Sequence, residues 1–173
     1  GGADRTNYPQ IRCAMKEPRN KQIAEVFQPS FILNSPFRPK SMRQTAAKMG
    51  KHILVYEGGE SGRFDEFAIQ QGINGALRVM KHLGMRERAP EAPHITKTIN
   101  NSSWIRAKTS GVFLTLVSYG AEVEKNQIIG HINDPFGGSK IKIKSPASGY
   151  VIGLNNNPIV HQGDALMHIG VKK

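Results

Sequence analysis

The apolar positions fall into short runs separated by strong breaks. Ile53-Leu-Val-Tyr56 is a run of mostly branched and aromatic residues, too short for a helix and followed by the paired glycines 58 and 59. It predicts a buried strand that ends at Glu57 and passes into an irregular loop. Upstream, residues 1–22 are polar and turn-rich and read as loop, with residues 8–13 as a short extended piece. The spacing of Ile23, Ala24, Val26 and Phe27 predicts a short helix over 20–27 that stops before Pro29, and Phe31-Ile-Leu33 predicts a brief strand. Pro36 and Pro39 then break the chain. Ser41 is placed to cap a helix over 42–49 that Gly50 terminates. Beyond Glu57, apolar residues at helical spacing from Phe67 to Leu83 predict a long helix over 64–83, closed by Gly84. Helix, short strand and long helix in succession are the pattern of an α/β layered domain.

The pattern changes after residue 88. Arg86-Glu-Arg-Ala-Pro90-Glu-Ala-Pro93 is charged and proline-bearing, as linkers are, and from there the apolar runs are short and punctuated by Gly, Asn and Pro. The expected partition is an α/β part at 1–88, a linker at 89–98 and an all-β part at 99–173. The β part repeats itself. Ser-Gly-Val-Phe-Leu-Thr-Leu at 110–116 aligns with Ser-Gly-Tyr-Val-Ile-Gly-Leu at 148–154, an offset of 38, and residues 123–132 align with 160–169 at an offset of 37. Two copies of strand, turn, strand predict a pseudo-twofold module in which each copy covers the other's apolar face. Lys144-Ser-Pro-Ala-Ser-Gly149-Tyr-Val and Val160-His-Gln-Gly163-Asp164-Ala-Leu resemble runs of the barrel-sandwich hybrid in biotinyl and lipoyl carrier domains. Those carriers place a modified lysine at a hairpin tip; Gly138 stands there in this chain, so the module reads as structural.

The 173 residues carry a formal net charge of +11, about +7 of it in residues 1–90 and about +4 in 91–173. A spread excess of this kind reads as a solvated positive surface that draws in a carboxylate substrate. No dense basic run interleaved with exposed aromatics occurs, which argues against a nucleic-acid partner. No run of about eighteen apolar residues occurs either, which argues against a membrane partner. Cys13 is the single cysteine; it rules out an intrachain disulfide and makes a reducing compartment, the cytoplasm, the expectation. It reads as a small core residue. Of the six histidines none opens an H-x-x-E. His161-Gln-Gly-Asp164 falls in the tight turn of the second repeat, and His131 and His168 hold equivalent repeat positions.

Taken together, Ser41-Met-Arg43-Gln-Thr-Ala-Ala-Lys-Met-Gly50 leading into Val55-Tyr-Glu57-Gly-Gly59, the helix that follows and the β-rich end resemble the succinylglutamate desuccinylase/aspartoacylase family of the zinc carboxypeptidase-like superfamily. The resemblance covers most of residues 35–173. It implies the C-terminal part of a zinc carboxypeptidase-like αβα domain followed by an all-β, barrel-sandwich-hybrid-like domain. It further implies hydrolysis of the amide of a small N-acyl amino acid, with zinc as cofactor and Glu57 as the general base and acid on the metal's water. Arg43 would meet the substrate carboxylate, with Arg12 as a second candidate. Gly1-Gly2 looks like the tail of the family's D-L-H-S/T-G-G motif, which puts every zinc ligand ahead of residue 1 and makes this stretch inactive by itself. A peptide metallocarboxypeptidase and a biotinyl- or lipoyl-like binding module are the alternatives. The acyl group, the amino acid and homo-oligomerisation stay open.

Overall fold

The computed structural model describes residues 3–172, and their packing divides into two units. Pro9–Gly59 with Phe64–Ile99 form an α/β unit, and residues 3–8, 60–63 and 100–172 form a β unit.

In the α/β unit, β1 (Arg5–Cys13, shared between the units) pairs in parallel with β2 (Phe31–Asn34), which pairs in parallel with β4 (Lys97–Ile99). Between β2 and β4 in sequence lie α2 (Met42–Lys48), β3 (Val55–Glu60) and α3 (Glu66–His82), and β3 runs beside β1. α1 (Pro18–Phe27) starts on a proline that needs no N–H partner, and Gln28 at φ 52° turns the chain out before Pro29. Ser41 Oγ accepts from Gln44 N at 3.2 Å and Asp65 Oδ1 from Ala68 N at 3.0 Å, so α2 and α3 each begin on a side-chain cap. Ile11, Cys13, Ala24, Phe27 and Ile32 form the core, with Leu54, Tyr56 and Val79 against it. Each large side chain fully buried there contributes roughly 1.5–3 kcal/mol. α1 and α3 cross so closely at Gly75 that a Cβ there would lie 2.1 Å from the Phe27 ring. Beside that crossing, buried Arg78 donates to the carbonyls of Phe27 at 2.9 Å, Pro90 at 3.2 Å and Gln28 at 3.3 Å. Those bonds offset the desolvation that lowers its pKa.

Three elements differ from the sequence reading. The segment read as loop holds the nine-residue β1, whose first residues pair antiparallel with a strand some 150 residues on (Arg5↔Asn155, Thr6↔Leu154). Lys97–Ile99, which overlaps the end of the stretch read as linker at 89–98, is a strand. The strand read as ending at Glu57 continues through both glycines to Glu60, so Glu57 is internal to β3.

The β unit is built from two copies of four strands. β5 (Ser102–Arg106), β6 (Gly111–Thr115), β7 (Glu122–Val123) and β8 (Ile128–Asn133) make the first. β9 (Lys140–Lys144), β10 (Gly149–Asn155), β11 (Ile159–Val160) and β12 (Ala165–Val171) make the second. Within each copy the second and fourth strands pair antiparallel. Between copies the exchange is reciprocal: β7 pairs with β10 at Val123↔Gly149, and β11 with β6 at Val160↔Gly111. β5 pairs with β12 and β9 with β8 in the same reciprocal way. Phe113, Ile132, Val151, Leu166 and Ile169 meet in one core, so neither copy buries its apolar face alone.

Two weak acids, buried Cys13 and partly buried Tyr56, make stability fall at high pH. Burial pushes the Cys13 thiol from 9.0 to about 11, with Arg43 opposing the rise, and pushes the Tyr56 phenol from 10.0 to about 12, with the Asp65 charge adding to it. A raised folded-state pKa means that the folded protein holds the proton more tightly, so this stability is complete below pH 9 and is lost as pH rises through 11 and 12. For Cys13 the loss amounts to about 2–3 kcal/mol. Urea midpoints measured from pH 8 to 11 should fall, and Cys13→Ala should flatten the fall; an unchanged slope in that variant would contradict the assignment.

Candidate active site

The parallel strands β1 and β2 bring their carboxyl ends to one edge, the edge at which open α/β sheets bind ligands. Arg12 is the penultimate residue of β1, and Glu57 stands on its neighbour β3. Arg12 Nε lies 2.9 Å from Glu57 Oε2, each side chain about a quarter exposed. The N–H is not aligned for a hydrogen bond, so the contact is an ion pair. At this exposure solvent screens it to about 1 kcal/mol or less. Its larger consequence is positional, since a guanidinium beside the carboxylate limits where that carboxylate can swing.

The backbone under Glu57 is held from the other side. Tyr56 Oη donates to the Ala68 carbonyl at 2.5 Å, and its ring lies 5.6 Å from that of Phe27. Gly58 and Gly59 follow because α3 begins against them: a Cβ on Gly58 would lie 3.1 Å from Ala68 Cβ, and one on Gly59, at φ +79°, 2.9 Å from Asp65 Cβ. The glycines that read as a strand terminator are instead where the strand passes under a helix start.

Arg43 lies elsewhere in its bonding. Its guanidinium donates to Ser35 O and to Ser35 Oγ, both at 3.0 Å, and Ser35 N donates to Cys13 O at 2.8 Å. The structure therefore brings Arg12 and Glu57 together and ties Arg43 to the chain just past β2. Next to Ser35, a cavity of about 140 Å³ is lined by Ala14, Lys16, Glu17, Asn34, Pro36 and Phe37. Asn34 Oδ1 accepts from Met15 N at 3.3 Å and so braces its wall. Lys16, Asn34 and Ser35 were not singled out from the sequence. Their one signal is a position just past two parallel strands, which ordinary turn residues share. A broader depression of about 610 Å³ beside α1 and α3 is lined by Arg78, Lys81 and His82 among others and by none of Arg12, Arg43 and Glu57.

Among the described residues no group of three or more His, Cys, Asp or Glu could hold a metal ion. His161 N donates to Asp164 Oδ2 at 2.8 Å, so that H-x-x-D is a closed turn. His168 is buried and stacks on Trp104 at 4.6 Å, with Nε2 2.9 Å from Ser102 Oγ. Partial burial, then Lys140 and Lys142, lower the pKa of His131, its counterpart in the first copy. The residues present do not fit a zinc site, and Gly1-Gly2, read as the tail of a ligand motif, lies outside the described residues. Among the described residues no helix is long and apolar enough to cross a membrane.

No family model matches the sequence, and a search of curated proteins gives no match. Solved structures do match. The apo ectoine utilization protein EutE (DoeB) of Ruegeria pomeroyi superposes with a TM-score of 0.88 at 15% identity, over 99% of this chain and 58% of its own. A succinylglutamate desuccinylase from a Silicibacter species gives 0.86 at 17% identity, over 100% and 56%. A succinylglutamate desuccinylase/aspartoacylase from Rhodobacter sphaeroides gives 0.84 at 20%, over 97% and 55%. The chain has the fold of these proteins. It spans a little over half the length of each, and at such identities the likeness is one of fold.

Proposed function

We propose that this chain belongs to the succinylglutamate desuccinylase/aspartoacylase family and forms the C-terminal portion of a deacylase that hydrolyses the amide of a small N-acyl amino acid. The observation that carries the reading is the Glu57 carboxylate, ion-paired to Arg12 on an adjacent strand near the sheet's carboxyl edge, in a chain that folds like desuccinylases throughout. Amide hydrolysis needs a group that takes a proton from attacking water and returns it to the leaving amine. Glu57 is assigned that role and Arg12 the role of holding it. Arg43, whose planar fork suits a carboxylate, is assigned the substrate's carboxylate, which would replace or share its bonds to Ser35.

Zinc is proposed for the whole protein only, through ligands ahead of residue 1; the described residues make no metal site, so their chemistry is limited to proton and carboxylate handling. The β unit, with its reciprocal strand exchange, is proposed as a barrel-sandwich-like module, and the cytoplasm as the compartment. The hairpin between β8 and β9 carries Asp134-Pro-Phe-Gly-Gly138 without a lysine, which disfavours a carrier role.

The test is a substrate panel. The full-length protein, supplied with zinc, should release amine from N-acetyl and N-succinyl derivatives of acidic amino acids and leave peptides intact. Cleavage of peptides alone would favour the carboxypeptidase reading. The 173-residue polypeptide should release nothing under the same conditions, and turnover by it would overturn the assignment of the missing groups.

A further inference from the structure

α3 presents two distinct sides. One, through Ala68, Gln71, Gly75 and Arg78, is buried in the α/β unit. The other is a line of Ile69, Ile73, Ala76, Met80 and Leu83, in which Ile69 is 36% exposed and Ile73 and Leu83 are each 47% exposed. Ala76 is exposed as well, and Met80 is partly so. The spacing alternates four and three residues, the 3.5-residue repeat that keeps a seam on one side of a helix against a second helix. An amphipathic helix buries its apolar stripe, and an apolar stripe four turns long left in solvent calls for a partner.

The stripe reads alike in both directions. Reversed about Ala76, Ile69 meets Leu83, Ile73 meets Met80 and Ala76 meets itself. Large side chains thus face large ones at both ends, and a small residue sits at the centre, where two backbones would come closest. The charges have the same sense. Asp65 and Glu66 stand at the start of α3, and Lys81 and His82 in its last turn. An antiparallel pair sets the acidic start of one helix beside the basic end of the other and opposes their dipoles, whereas a parallel pair would set like charges together. A surface that is self-complementary under a twofold rotation is the requirement for an isologous dimer. We propose that this face of α3 docks on the same face of a second copy of the chain, antiparallel about a twofold axis through Ala76.

Sedimentation of the chain from about 1 to 100 µM tests this over the affinity range of a small interface. A reversible monomer–dimer equilibrium is expected. Ile73→Glu, which puts a charge into the seam at an exposed position, should weaken the dimer at least about 100-fold with the circular dichroism unchanged. Ala76→Cys should form a disulfide-linked dimer on mild oxidation, because only a twofold pair sets residue 76 against itself, while buried Cys13 should form none. A chain that stays monomeric to about 100 µM, or a dimer that survives Ile73→Glu and does not cross-link through residue 76, overturns the proposal. The first of these results would also follow if upstream residues or another protein cover the stripe.

Discussion

Gly149→Ala is expected to destabilise the β unit by about 3 kcal/mol or more, a large part of the roughly 5–15 kcal/mol that holds a domain folded. The reason is where a side chain would have to go. A Cβ on Gly149 would stand 2.1 Å from the Gly170 carbonyl oxygen and 3.0 Å from its carbon, in the pair of strands at the centre of the second copy. The obstacle is backbone held in a ladder, so no rotamer change relieves it. Gly111, at the equivalent position of the first copy, meets the Asn133 carbonyl oxygen at 2.5 Å and has φ +154° as well, so Gly111→Ala should behave alike. Gly137 has φ +80° with nothing within 4 Å of a new Cβ. Gly137→Ala should therefore cost only the strain of the left-handed backbone, about 1–2 kcal/mol. Urea denaturation of the three variants separates the terms. A Gly149→Ala protein as stable as Gly137→Ala would mean that the copies are not packed as described.

Those two glycines also mark how far the sequence carried. The repeat was legible at Gly111 and Gly149 because the reciprocal exchange demands the same small residue twice. The outer strands of the copies share the same offset, since Ser102–Arg106 and Lys140–Lys144 start 38 residues apart, yet Ser-Ser-Trp-Ile-Arg and Lys-Ile-Lys-Ile-Lys have little in common. Trp104 there covers His168, whereas Lys142 pairs with His131. α2 and α3 were legible from Ser41, Gly50 and Gly84, because caps are local chemistry. β1 was not. Its buried positions include Thr6, Asn7 and Gln10, and Thr6 Oγ1 accepts from Asn156 Nδ2 at 2.7 Å, a partner no local pattern shows.

The same limit applies at the candidate site. Arg12 and Glu57 were each picked out, but 45 residues of chain separate them and only the pairing of β1 with β3 makes them neighbours. Arg12 was read as a group for the substrate; in the structure it faces Glu57. Arg43 was read the same way; in the structure its guanidinium is bonded to Ser35. The glycines after Glu57 misled because a strand that ends and a strand that passes beneath a helix leave the same residue in sequence.

Glu57 is the residue on which the functional account turns, and Glu57→Gln in the full-length protein is its most direct test. The amide keeps the size of the side chain but cannot take the proton of attacking water, and positioned proton transfer of this kind contributes about 10²–10⁴-fold. The partly exposed ion pair with Arg12 is worth little to the fold, so thermal stability should change by less than about 1 kcal/mol. The account predicts that kcat for an N-acyl amino acid falls by about 10²–10⁴-fold while KM moves little. A Glu57→Gln enzyme that turns over within a few-fold of the parent would contradict it.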